Sequence, residues 1–333
     1  MSQPDRAAIQ ARIDGKLKPP GALGRLESLA HHLASTVGSP DRIDLRPELL
    51  IFAGDHGVAR HPISIAPREV TQQMVMNFLA GGAAVNVFAR RHGIPVTVVD
   101  CGMLQAMESE DVAKSSLGAG TDDLSEGPAM DAATLERGLA GGARQAEEAM
   151  DRGANVLLLG EMGIGNTTPS SALLGHLLDR PAEDVVGPGT GVSGDALMLK
   201  RSLVQRALER VGSVEARRAL AELGGFEIVH LVGAMLGARE RRAVCVVDGF
   251  ISQVAACYAV EIDPAARDHL VIAHRSAEPP SALALERLGL IPLLDLELRL
   301  GEGSGAALAW PLLQAAADFY NDMASFESAG VVL

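Results

Sequence analysis

Three glycine-rich segments hold the residues best suited to chemistry. The first, Gly160-Glu161-Met162-Gly163-Ile164-Gly165-Asn166-Thr167-Thr168-Pro169, follows an apolar run and leads into a helical pattern. Glycines let backbone N–H groups approach an anion, and the N-terminus of a helix adds partial positive charge. Asn, Thr and Pro are residues that open helices. A plain strand-to-helix turn explains the glycines but not Glu161, an odd choice at a strand end. The spacing is neither a Walker loop nor a G-x-G-x-x-G. The second segment, Val186-Gly187-Pro188-Gly189-Thr190-Gly191, is followed by Lys200. Alone it reads as a connector; paired with the first it can close around a phosphate, with Lys200 as a point charge. In the third, Leu300-Gly301-Glu302-Gly303-Ser304-Gly305-Ala306, one carboxylate sits between glycines before an Ala-rich helix. In apolar surroundings such a carboxyl has a raised pKa and can act as a general base. Capping of the following helix by Glu302 or Ser304 explains the same residues equally well.

Other candidates are weaker. Gly54-Asp55-His56-Gly57 reads as a hydrogen-bonded turn, because no further ligand-spaced residues follow it. His274-Arg275-Ser276-Ala277-Glu278 reads as a polar loop beside a site or as a plain loop, and His31-His32 as an exposed helix pair. Asp122-Asp123 follows Gly-Ala-Gly-Thr rather than an apolar strand, so no metal–pyrophosphate site is indicated. There is no G-x-S-x-G elbow. Cys101, Cys245 and Cys257 show no metal spacing, and the first two sit in apolar runs as small core residues. No metal and no cofactor is expected.

Composition narrows the partners. With 29 basic and 42 acidic side chains the formal net charge is −13. A nucleic-acid binder carries a basic stripe, whereas the densest basic run here, Arg239-Glu240-Arg241-Arg242, contains a Glu. Aromatic residues make up only 3% of the chain, too few for a base-stacking platform. No stretch reaches the ~18 uncharged apolar residues of a membrane span, and Met1-Ser2-Gln3-Pro4-Asp5-Arg6 opens no signal-peptide core. These features, with unpaired cysteines, predict a cytoplasmic enzyme acting on small molecules.

The elements that must position these residues alternate. Apolar runs at 49–53, 96–99, 156–159, 243–247 and 270–273 each end in Gly, Asp, Glu or His. Their continuous apolarity suits strands buried on both faces of a parallel sheet. Helical patterns cover Val70–Arg91, Met130–Arg152, Leu197–Val211 and Phe250–Ala259. This alternation predicts an α/β fold with a doubly wound, mainly parallel, Rossmann-like sheet, whose ligands bind beyond the carboxyl ends of the strands. Residues 1–37, broken at Lys18-Pro19-Pro20-Gly21, and 304–327 read as helices. The expected organisation is an α/β domain over 38–300, with 1–37 and 301–333 forming a small helical subdomain from the chain termini.

Taken together, the motifs resemble a known family. Lys18-Pro19-Pro20-Gly21-Ala22-Leu23-Gly24-Arg25-Leu26-Glu27, Asp55-His56-Gly57-Val58, the Glu161 segment, Gly224-Gly225-Phe226-Glu227, Val247-Asp248-Gly249-Phe250 and Arg299 to Ala306 occur in the order found in the nicotinate-nucleotide:dimethylbenzimidazole phosphoribosyltransferases of cobalamin biosynthesis. The resemblance spans nearly the whole chain. It implies transfer of ribose 5-phosphate from nicotinate mononucleotide to 5,6-dimethylbenzimidazole or a related base, giving α-ribazole 5′-phosphate and nicotinate. It implies that Glu302 is the general base and that Glu161 holds ribose hydroxyls or the charge developing on the sugar. Gly163, Gly165, Asn166 and Thr167 would meet phosphate or ribose, and Lys200 the phosphate. The base pocket is the point of departure. Where the family carries a Ser and a Gln, alignment on Val70-Thr71 places Ala66 and Met74, with Ser64, Gln72 and Gln73 close by; Leu300 is a further base-pocket candidate. The resemblance further implies a homodimer. Two other readings use the same loops: a nucleotide-binding sensor, which has no need of Glu302, and a nucleotide N-glycosidase, which transfers to water and needs no base pocket.

Overall fold

The computed structural model describes residues 5–331. Residues 1–4, on which the N-terminal reading rests, and 332–333, the outer limits of the expected helical subdomain, lie outside them. Six strands form one sheet: β1 (Pro47–Gly54), β2 (Val96–Gly102), β3 (Val112–Lys114), β4 (Val156–Met162), β5 (Val244–Val247) and β6 (Leu270–Ile272). Every pairing is parallel, in the order β3-β2-β1-β4-β5-β6. This is the doubly wound arrangement, with its switch point between β1 and β4. The five apolar runs are β1, β2, β4, β5 and β6. Edge strand β3 is too short to show a pattern in the sequence.

The helices are α1 (Arg6–Asp14), α2 (Arg25–Thr36), α3 (Val70–Leu79), α4 (Ala84–Arg91), α5 (Ala132–Asp151), α6 (Thr167–Leu178), α7 (Ala182–Val185), α8 (Gly194–Val211), α9 (Ala216–Leu223), α10 (Phe226–Glu240), α11 (Phe250–Ile262), α12 (Ser281–Leu288) and α13 (Ser304–Asp322). The pattern over Val70–Arg91 is two helices rather than one. The chain turns at Gly81, which has φ +73, and Asn86 on α4 donates to the Phe78 carbonyl at 3.1 Å to bridge the break.

Strand side chains alternate between two cores, as a period of two requires. Leu49, Ile51, Leu158 and Val246 share one core with α1, α2, α3, α4 and α13. Leu50, Phe52, Leu157, Leu159 and Val247 share the other with α5, α6, α10 and α11. The helices from the two ends of the chain meet each other as well. Lys16 donates to the Met323 carbonyl at 2.7 Å, and the Arg12 guanidinium lies 5.0 Å from the centre of the Tyr320 ring.

Glycine sets the spacing of α5 and α10. A methyl group at Gly142 would overlap the His230 carbonyl, and one at Gly233 would overlap that of Leu139. The two backbones therefore touch, and His230 is sealed between them, with Nδ1 2.7 Å from the Phe226 carbonyl and Nε2 2.9 Å from Ser115 Oγ. Burial pushes its pKa down to about 4. Gly233→Ala should destabilise the protein by about 1–3 kcal/mol by forcing this pair apart. Gly127→Ala, where the space is open, should change stability by less than ~0.5 kcal/mol. Denaturant unfolding of the two variants measures the difference.

Candidate active site

β1 and β4 diverge in their connections, so a cleft opens beyond their carboxyl ends. It encloses about 240 Å³. Glu161, Gly163, Gly165, Asn166, Thr167, Lys200 and Glu302 all line it, and so do Ser64, Ala66, Met74 and Leu300. Gln73 does not. Val70 and Met74 lie one turn apart on the cleft side of α3, and helical geometry carries Gln73 round to solvent. A larger groove of about 990 Å³ opens between α6, α8, α9 and α11 around His176, but it collects none of these residues.

On one side, β4 delivers Glu161 in register with Phe52 of β1. The chain then turns through Gly165, at φ +87, into α6. Asn166 does not cap that helix, because its amide donates instead to Glu161 Oε2. Thr167 Oγ1 accepts from Lys200 Nζ at 2.7 Å, and the same ammonium donates to the Gly187 carbonyl at 3.2 Å. Lys200 is 1% exposed. Burial pushes its pKa down to about 8, opposed by Glu278. Glu278 in turn accepts from the Gly189 amide at 3.2 Å. The two glycine loops therefore meet at one buried cation.

The opposite side is the turn before α13. Gly301, Glu302 and Gly303 have φ of +82, +67 and +86. The turn lies directly on β4: a methyl at Gly160 would overlap the Glu302 carbonyl, and one at Gly301 would overlap Glu161 Oε1. Neither Glu302 nor Ser304 caps α13. Instead Asp248, at the end of β5, accepts from the Gly303 amide with Oδ2 and the Ala306 amide with Oδ1, both at 3.0 Å. That leaves the Glu302 carboxyl free to face the cleft.

Two carboxyls of unusual basicity result. Burial, then the charge of Asp248, raises the Glu302 pKa to about 7. Burial, then the charges of Glu227 and Asp248, raises Glu161 to about 8, against the opposing donation from Asn166. Titratable pairs shifted in one cleft mark functional sites more often than structural ones.

Some of the supporting groups carried little sequence signal. Beneath Gly163, His56 Nε2 lies 2.8 Å from Glu227 Oε1, with both side chains fully buried. Burial lowers the His56 pKa, but the Glu227 carboxylate beside it more than offsets this and holds it above the ordinary value. The Asp55-His56 turn and the Gly224–Glu227 motif are each visible in the sequence; that one faces the other is not. Asp248, His274 and Glu278 likewise sit in quoted motifs without an assigned partner. Among the described residues His61, Asp123 and Glu126 have ligand-like spacing, but Arg60 already bridges both carboxylates, lying 3.1 Å from Asp123 and pairing with Glu126.

Over residues 1–331 the chain matches a family described as phosphoribosyltransferase. A relative from Vibrio atlanticus, named nicotinate-nucleotide–dimethylbenzimidazole phosphoribosyltransferase, is 47% identical over 98% of this chain and 97% of its own. One of the same name from Shewanella oneidensis is 48% identical over 99% and 95%. The crystal structure of CobT from Thermus thermophilus superposes with a TM-score of 0.94 at 44% identity, covering 98% of both chains.

Side-chain carboxyl resonances test the electrostatics directly. In the ligand-free protein the ¹³C signal of Glu302 should titrate with a midpoint about 7 and that of Glu161 about 8. Midpoints near the ordinary 4.5 would show that water reaches both groups.

Proposed function

The chain belongs to the nicotinate-nucleotide–dimethylbenzimidazole phosphoribosyltransferase family, and we propose that it transfers ribose 5-phosphate from nicotinate mononucleotide to 5,6-dimethylbenzimidazole or a closely related base. The observation that carries this reading is the pairing, in one cleft, of the Glu302 carboxyl, raised by burial to about 7, with the two glycine loops that meet at Lys200.

The chemistry follows from the donor. Its nicotinate is attached as a pyridinium, so the departing ring takes the C1′–N electron pair and becomes neutral. Leaving needs no general acid. The acceptor is the harder partner. One benzimidazole nitrogen attacks C1′ while the other loses its proton to the Glu302 carboxylate. Positive charge builds on the base and on C1′ during this step, and Glu302 and Glu161 lie where a negative or hydrogen-bonding group stabilises it. Attack from the face opposite the leaving group gives the α-product. Lys200, Thr167, Asn166 and the amides around Gly163 and Gly165 hold the phosphate and ribose. The acceptor lies against Ala66, Val70, Met74 and Leu300, an apolar wall that fits a bicyclic base, with Ser64 beside it.

In the same reading the protein is a cytoplasmic homodimer. Sedimentation of the purified protein measures that oligomeric state. No helix among the described residues is long and apolar enough to cross a membrane. Residues 38–300 make up the transfer domain, and 1–37 with 301–333 the small helical unit beside it.

Incubation with nicotinate mononucleotide, with and without dimethylbenzimidazole, tests the reading. Nicotinate should appear only when the base is present. Release without the base indicates hydrolysis, and no release indicates a binding protein. Glu302→Gln should retain nucleotide affinity while turnover falls by at least roughly 10²-fold. Because the base must be ionised, kcat/KM should rise with pH through about 7 and then level.

A further inference from the structure

We propose that Asp248 is the positioning residue of this site, clamping the left-handed turn that presents Glu302 to the cleft. The proposal rests on the reading of Glu302 as the base. A non-glycine residue at φ +67 costs about 1–2 kcal/mol against the right-handed region. Such a conformation persists only where the surroundings hold it. Here they do so from both sides. The amide of Gly303, directly after Glu302, donates to Asp248 Oδ2, and the Ala306 amide, in the first turn of α13, donates to Oδ1. The turn therefore cannot flip or unwind without stranding a buried carboxylate.

Asp248 is itself fixed. It follows β5 immediately, is 1% exposed, and its Oδ1 lies 3.4 Å from Nε2 of His274, just beyond β6. One buried amide ties the two strand ends together: Gln253 Nε2 donates to the Asp248 carbonyl at 3.3 Å and to the His274 carbonyl at 3.0 Å, and Ser281 Oγ donates back to Gln253 Oε1 at 2.6 Å. The packing leaves no slack. A methyl at Gly305 would overlap the His274 ring and come within 2.7 Å of Asp248 Oδ1. The geometry runs unbroken from the sheet to the base: β5 and β6, Gln253, Asp248, the turn, Glu302. Asp248 touches no substrate in this scheme. Its charge also opposes ionisation of Glu302, so it sets basicity as well as aim.

Asp248→Asn separates this role from simple helix capping. The amide keeps the size and one acceptor but loses the charge and the second acceptor. The expected result is a kcat lower by roughly 10- to 100-fold, an unchanged KM for nicotinate mononucleotide, and an acid limb of the pH–rate profile moved to lower pH. If the variant does not fold, Gln253→Met loosens both strand ends without entering the cleft; kcat should fall and KM should hold. An unshifted acid limb with near-normal kcat, or a loss confined to KM, overturns the proposal. Glu302→Gln distinguishes the two ideas. If it turns over normally, the base assignment fails; if it is inactive while Asp248→Asn behaves as the parent, only the positioning role fails.

Discussion

The contact between Gly160 and the backbone of Glu302 is the constraint on which the site depends. It seats a turn from late in the chain directly on the end of a central strand. Any side chain at 160 would lift that turn away. With it would go the burial that keeps Glu302 and Glu161 from ionising at ordinary acidic pH. Close backbone approach therefore becomes basicity, through the loss of water around two carboxyls.

The acidic composition takes on a local meaning in this light. Glu161, Glu227, Asp248 and Glu302 are all nearly or fully buried near the carboxyl edge of the sheet. Uncompensated, such a cluster would be prohibitive. His56 sits against Glu227, His274 against Asp248, and Lys200 near Glu278. Among the described residues Glu161 and Glu302 have no cation of their own, and burial raises them to about 8 and about 7. On the proposed reading, a donor that carries a pyridinium charge enters a site already lined with carboxyls, and its single phosphate needs no basic surface patch.

Much of the architecture was legible because the strands are buried on both faces and read as continuous apolar runs. The same logic hid other parts. α10 is apolar all round, so it shows no amphipathic stripe, and its pattern assigns no element to it. β3 offers only Val112-Ala113-Lys114. The helical pattern over Val70–Arg91 reads through its own break, because apolar residues continue on both sides of Gly81 and Gly82. In the cleft, glycine loops and isolated carboxylates are conspicuous, whereas Gln73 falls on the wrong side of α3 by a single helical step. The partners of Asp248 were not readable: Gly303 lies 55 residues further on, and nothing local signals which carboxylate will cap a distant helix.

The terminal helices add a constraint in time. α13 carries the Glu302 turn at its start and packs against α2 and α1, while its own first turn is tied to β5. On the ribosome all six strands and both phosphate-facing loops emerge before α13 does. A nascent chain can thus bring its two glycine loops together at Lys200 while still lacking Glu302, the base of the proposed reaction. Chemical competence arrives as a late event of synthesis, and contacts such as Arg12 with Tyr320, 308 residues apart, are of the kind that close slowly.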